Sequence, residues 1–324
     1  MGNTFFFGWE PALMVWLQSH LGSFGITLAT IFSMFGEEMA TILVLGFCYW
    51  SWKKELGKFI GRNACVAMVA NPMIKNVFLR LRPYMVCPEV KCLKPVDSSA
   101  DIMDVAAQGY SFPSGHTQTA VGCYGALAVC RKEKWVKIVG IVMCLLIPFT
   151  RMYLGVHTPW DVGVSIIIAL TLIFILWPLF CEFGYQRKLM YPLMGVLSVF
   201  AVAFLLFVSL YNFPADIDVA NYTSAVKNAY KFLGCTLGMW VIYEVDTRFI
   251  RFDTKTAKWW AQIIKLAVGF GLLLVVMEGS KPLFNLIFQG NYIAYAIRYF
   301  LTVLFAGAVW PLTFKWFAKL GAKK

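Results

Sequence analysis

Apolar runs of about 20 residues recur along the whole chain, and no other feature limits its fold as much. A run of that length crosses the hydrocarbon core of a bilayer as one helix, with every backbone polar group satisfied inside the segment. Soluble domains carry roughly 25% charged residues. Here 14% of the 324 residues are charged and 60% are apolar. The chain is therefore expected to be all-α, a polytopic transmembrane helical bundle of about nine spans.

The expected spans are 24–51, 57–79, 114–130, 135–152, 160–182, 189–212, 225–243, 259–277 and 294–314. The first contains Gly36-Glu-Glu38, and two arrangements are open. One is a single span kinked at Gly36 with the glutamates turned inward, and the other is two spans meeting at Glu37 and Glu38. The single span is preferred, because the second half alone is too short for a comfortable crossing. Upstream, Glu10–Leu21 is short and amphipathic, suited to the interface, and Gly22-Ser-Phe-Gly25 interrupts it. Met1–Gly8 has no basic n-region, so no removable signal peptide is expected. The division read along the chain is an interfacial helix at 1–23, a membrane core at 24–182 and a transmembrane helical extension at 183–324.

The net charge of +12 does not call for nucleic acid as a partner. Lys53, Lys54 and Lys58, then Arg131, Lys132, Lys134 and Lys137, then Arg187 and Lys188, Arg248, Arg251, Lys255 and Lys258, and finally Lys319, Lys323 and Lys324 all fall on one face of the expected bundle. The positive-inside rule makes that face cytoplasmic, with the N-terminus outside and the C-terminus inside. The opposite face holds the 84–112 loop, the Asp216–Asp218 turn and 278–293. Of nine cysteines, seven sit in apolar runs as small buried hydrophobes, while Cys87 and Cys92 share the polar 84–112 loop. Their spacing fits either a short disulfide or a coincidence, and no Cys/His cluster suggests a metal site.

Three charged clusters fall on the outer face. Pro113-Ser-Gly-His116 ends a loop and opens an apolar helix, with Ser114 as N-cap. A helix start offers free N–H groups and partial positive charge to an anion, phosphate above all, and His116 is within a turn of it. Taken alone, a capped helix with a surface histidine is the commoner meaning of such a stretch. Lys75 and Arg82 are seven residues apart, two helical turns, and so share a face, with Pro83 closing the helix. Thr150-Arg151 precedes His157 and Asp161. Thr158, Pro159 and Asp161 also form a capping arrangement, which by itself would account for the aspartate. The two roles are compatible, since an Asp161 fixed at a helix start can accept a hydrogen bond from His157 and leave the other ring nitrogen free as a nucleophile.

Chain parity puts all these helix ends on one face. Phosphoryl transfer is largely positioning and charge stabilisation. In this arrangement Lys75, Arg82 and Arg151, with Ser114 and the Gly115 amide, hold the phosphate oxygens, His157 attacks phosphorus, and His116 protonates the leaving oxygen.

Lys75…Arg82-Pro83, Pro113-Ser-Gly-His116 and Thr150-Arg151…His157…Asp161 resemble, in order and spacing, the three signatures of the type 2 phosphatidic acid phosphatase (PAP2) superfamily. The one departure is Thr150, where the signature has serine; the hydroxyl is kept. The resemblance covers roughly 24–182. It implies a phosphohistidine at His157, Asp161 as its orienting partner, His116 as general acid, phosphate binding by Lys75, Arg82, Ser114, Gly115 and Arg151, and no metal or other cofactor. The nine-span plan with an added C-terminal bundle is similar to that of glucose-6-phosphatases; many bacterial lipid phosphatases also have long extensions. The expected function is hydrolysis of a lipid phosphate or diphosphate on the extracytoplasmic face. Alternatives are a phosphotransferase with a non-water acceptor, a soluble sugar-phosphate phosphatase, and a scaffold with an inactive core, against which the intact motifs speak. The partners expected are a phosphorylated lipid and the surrounding membrane lipids. Homodimerisation, lateral packing and substrate selection are the roles open to 183–324.

Overall fold

In a computed structural model, residues 4–95, 101–177, 187–213, 217–256 and 258–321 are described. The 182/183 boundary, Asp216, Lys323 and Lys324 lie outside them. Every regular element among them is helical. The elements are α1 Glu10–Met34, α2 Glu38–Phe47, α3 Lys54–Phe78, α4 Pro83–Val86, α5 Val105–Gln108, α6 Gly115–Ala120, α7 Ala126–Cys130, α8 Lys134–Tyr153 and α9 Pro159–Trp177. They continue with α10 Arg187–Leu210, α11 Val219–Val245, α12 Trp259–Leu274, α13 Ser280–Phe288, α14 Ile293–Leu304 and α15 Phe314–Lys319.

Among the described residues, six helical stretches are long and apolar enough to cross a membrane, and a seventh arises if Phe24–Met34 and Glu38–Trp52, bent by 52°, count as one broken span. The chain is an integral membrane protein. Two of the nine expected spans do not meet that test. α6 and α7, joined by the π-helical turn Val121–Gly125, are segments of 6, 5 and 5 residues. Their combined rise of about 24 Å is short of the roughly 30 Å hydrocarbon thickness. α11 is long enough at 27 residues, but Asn221, Lys227, Asn228 and Lys231 make it too polar.

The chain forms two compact units. The first comprises Met1–Thr41, Val66–Glu182 and Asn212–Ala225. In it α8 packs on α1, α6 and α7, and α6 packs on α9. α1 breaks at Gly22, whose φ of 56° is a left-handed value that glycine adopts without cost. Leu17, Ala29, Tyr84, Tyr153, Leu154 and Val156 make a core cluster, with Met85, Cys92, Leu93 and Phe149 packed against it. Gly36 is buried at the bend after α1, where a Cβ would press on Ile147 and on the His116 backbone.

The second unit comprises Ile42–Cys65, Phe183–Tyr211 and Val226–Lys324. Its aromatic core includes Tyr49, Trp50, Phe252, Trp310, Phe314 and Phe317. Two buried polar contacts tie distant segments together. Lys54 pairs with Asp246 at 2.6 Å. Lys265, fully buried, donates to the carbonyls of Trp50 (2.8 Å) and Thr254 (2.9 Å).

Candidate active site

All eight side chains or backbone positions expected at the site fall in the first unit. α9 begins with a reciprocal cap: the Asp161 amide donates to Thr158 Oγ1 at 3.1 Å, and the Thr158 amide donates to Asp161 Oδ2 at 2.9 Å. Ser111 Oγ also donates to Oδ2. Asp161, thus fixed and fully buried, faces His157 Nδ1 across 3.6 Å, one turn away. That is ion-pair range but longer than the hydrogen bond expected between them.

The other ring nitrogen, Nε2, lies 2.9 Å from Arg82 Nη1. An arginine can only donate, so Nε2 accepts and the proton of the neutral ring is on Nδ1, towards Asp161. Arg82 is itself clamped, with Nε donating to the Gly109 carbonyl at 2.9 Å, Nη1 to the Val156 carbonyl at 2.7 Å and Nη2 to the Gln108 carbonyl. Burial first, then the charges of Arg82, Arg151 and Lys75, push the His157 pKa well below the usual histidine value.

The route to Arg82 differs from the sequence expectation. Lys75 and Arg82 do not share one helix, and Pro83 does not close it. α3 ends at Phe78; Leu79 takes a left-handed φ of 47°, and its amide donates to the Lys75 carbonyl at 3.0 Å. The chain then runs extended, and Pro83 opens α4 at its first position. This turn aims Arg82 into the 108–109 and 156–157 backbone, whereas two turns of helix would only have set it above Lys75.

Ser114 caps α6 as expected, accepting from the Thr117 amide at 3.4 Å, and its own amide donates to the Asp161 carbonyl at 3.4 Å. Asn71, one turn before Lys75, braces this loop through the Pro113 carbonyl (3.2 Å) and Gln118 Oε1 (3.0 Å), beside Gly115. Arg151 is buried near the end of α8; Nη1 donates to Ser33, and Nε has no partner among the described residues. His116 Nε2 lies 3.9 Å from Glu37 Oε1.

The three motifs fall in one unit, with Arg82 on the His157 ring and the charges of Arg151 and Lys75 bearing on it. The PAP2 superfamily profile matches residues 59–184, and the profile of the PAP2 superfamily phosphatase transmembrane extension matches 230–324. Between them they account for more than half of the chain. The chain belongs to the PAP2 superfamily. It is similar to an undecaprenyl-diphosphatase of Sulfolobus acidocaldarius, 27% identical over 136 residues, which is 42% of this chain and 61% of that protein. The match therefore spans less than two-thirds of the relative's length. No solved structure matches the chain.

Several further residues surround this candidate site without belonging to its motifs. Ser111 and Asn71 hold Asp161 and the Pro113 loop. Glu10 is buried, accepting from the amides of Phe6 (2.6 Å), Phe7 (3.0 Å) and Trp160 (2.9 Å), so it pins the N-terminal segment to the first turn of α9. Arg80 lies over the Phe112 ring, 4.8 Å from its centroid. Glu37 faces His116, although both Glu37 and Glu38 are exposed at the bend. Cys87 and Cys92 are unbridged, with Cys92 Sγ taken up by Gln108 Nε2 at 3.4 Å.

Proposed function

We propose that this protein is a metal-independent integral-membrane phosphatase that hydrolyses a lipid phosphate or diphosphate through a phosphohistidine on His157. The observation that carries the reading is the buried His157, between Asp161 at 3.6 Å and Arg82 at 2.9 Å. A neutral ring with its proton towards a carboxylate presents Nε2 as the attacking lone pair.

The arriving phosphate competes for the Arg82 hydrogen that occupies Nε2. With Lys75, Arg151 and the Ser114–Gly115 helix start, Arg82 then neutralises the non-bridging oxygens. Nε2 forms the P–N bond as the P–O bond to the lipid breaks; the lipid oxygen keeps the electron pair and takes a proton from His116. Burial and the surrounding cations keep His116 neutral in the free site, and it gains that proton as the phosphate charge offsets those cations. Asp161 offsets the positive charge that appears on the His157 ring. In the second half, His116 takes a proton from water, the oxygen attacks phosphorus, and the P–N bond breaks to release phosphate and free His157.

The relative is an undecaprenyl-diphosphatase, which favours a polyprenyl diphosphate as the substrate class. The distribution of lysine and arginine supports a site open to the extracytoplasmic face. The test is rapid quenching with a radiolabelled prenyl diphosphate. A base-stable, acid-labile phosphoenzyme is expected, absent in His157→Gln and accumulating in His116→Ala with an activated leaving group. Wild-type turnover by His157→Gln ends this mechanism.

A further inference from the structure

We propose that Lys94, which belongs to no motif, binds the second, non-transferred phosphate of a diphosphate substrate on the leaving-group side of the site. The inference deepens the phosphatase reading and rests on it.

Lys94 belongs to a segment that the fold carries back onto the site. The Leu93 amide donates to the Leu154 carbonyl at 3.0 Å. Gln18 clamps Lys91 from both sides, through its carbonyl at 2.7 Å and its amide at 3.0 Å. The Lys91 carbonyl crosses directly over Gly155, whose φ of 77° and missing side chain permit the approach. Cys92 touches Gln108, whose carbonyl receives Arg82. The backbone of Lys94 is therefore anchored to the stretch between Arg151 and His157 and to the clamp on Arg82.

Lys94 feels the charges of Arg151 and Arg82, and Lys75 feels that of Lys94, so it adds a fourth cation to the three of the motifs. It bears on His116 more strongly than Arg82 or Lys75 does, whereas it is not among the charges that bear most on His157. Lys94 is thus on the side of the proton donor, not of the nucleophile. The carboxylate whose charge Lys94 feels is Glu37, which lies 3.9 Å from His116, and no ion pair within 4.0 Å engages Lys94 among the described residues. Burial, then Arg151 and Arg82, lower its pKa to about 8, so it is still mainly charged at neutral pH and has an unfilled call for an anion.

A lipid monophosphate offers that side only an ester oxygen. A diphosphate offers a charged phosphate. When Nε2 of His157 bonds to the terminal phosphorus, the bond from that phosphorus to the bridging oxygen breaks, and the bridging oxygen keeps the pair as part of a departing lipid monophosphate. Lys94 is placed to neutralise the charge gained there.

The test uses the full chain in detergent with farnesyl diphosphate and farnesyl monophosphate. Lys94→Met should lower the ratio of kcat/KM for diphosphate over monophosphate by roughly 10–100-fold, the range of a lost charge-assisted hydrogen bond, and Lys94→Arg should restore much of it. As a second measurement, thermal protection by inorganic pyrophosphate should weaken in Lys94→Met relative to protection by inorganic phosphate. An unchanged substrate ratio together with unchanged relative protection overturns the assignment while leaving the phosphatase reading intact. A wild-type protein that hydrolyses neither substrate overturns both.

Discussion

Replacing Asp161 with asparagine isolates what the carboxylate contributes beyond its shape. The side chain keeps its size and one oxygen that can still accept from the Thr158 amide and Ser111, so the start of α9 should lose less than about 1 kcal/mol. The charge is lost entirely. In the proposed transition state the His157 ring becomes positive 3.6 Å from Asp161 Oδ2. Two unit charges at that separation attract by about 4–5 kcal/mol with an effective dielectric constant of about 20. Each 1.36 kcal/mol is tenfold in rate, so Asp161→Asn should slow phosphoenzyme formation by roughly 10³-fold. Single-turnover quenching on purified enzyme reads that step, and thermal unfolding in the same detergent reads the cap. Retention of more than a tenth of the wild-type rate by a normally folded Asp161→Asn protein would refute the reasoning, because Asp161 would then be a helix cap and nothing more.

Gly155→Ala should lower the unfolding temperature in detergent by about 5 °C or more, since a left-handed backbone costs an alanine about 1–2 kcal/mol and the new methyl would overlap the Lys91 carbonyl; wild-type stability would mean that the 91–94 segment does not cross Gly155. The depressed His157 pKa keeps the nucleophile neutral well below pH 6.5, so its protonation should not set the acid limb of kcat/KM. By linkage, the buried neutral ring favours the folded state fully above the unfolded pKa of about 6.5, and that contribution is lost as pH falls towards the folded value; acidification from pH 7 to 5 should therefore destabilise the wild type more than His157→Gln in thermal scans. Phosphate release should survive EDTA, because Lys75, Arg82 and Arg151 supply the positive charge; loss on chelation with recovery on added Mg²⁺ would contradict this. In a cysteine-depleted background, a membrane-impermeant thiol reagent on intact cells should label Glu89→Cys and spare Lys134→Cys; the reverse pattern would turn the topology over.

The sequence discloses this site wherever its chemistry is local. Ser114 and Thr158 announce helix starts, and His157 and Asp161 are one turn apart, so short-range rules reach them. The fold class is legible for a similar reason, because a lipid-facing helix must be apolar over its whole length. Two of the spans that rule counts do not pass a test of length and apolarity among the described residues, since the stretch at 115–130 is short and broken by a π-helical turn and α11 keeps polar residues that a packed helix can bear. Arg82 reaches His157 by a route its spacing from Lys75 does not give, because nothing in Phe78-Leu-Arg80 advertises a left-handed leucine. Lys94, Ser111 and Glu10 were invisible for a different reason. Their roles come from contacts between segments far apart in the chain, such as Leu93 with Leu154 and Glu10 with Trp160, and no spacing rule encodes those.

The Arg82–His157 contact joins binding and chemistry in a single hydrogen. Without an anion, Nη1 donates to Nε2 and occupies the lone pair that must attack phosphorus. Three of the other four N–H hydrogens of Arg82 are held by the carbonyls of Gly109, Val156 and Gln108, so the guanidinium has little freedom to swing away unprompted. A phosphate oxygen is a stronger acceptor than a neutral imidazole, because it carries charge. Its arrival can therefore take the Nη1 hydrogen, cancel part of the positive charge around the site, and expose Nε2 in the same movement. Binding energy between phosphate and cations would in this way be spent on uncovering the nucleophile, and a neutral lipid, with no charged oxygen to take that hydrogen, would leave His157 covered.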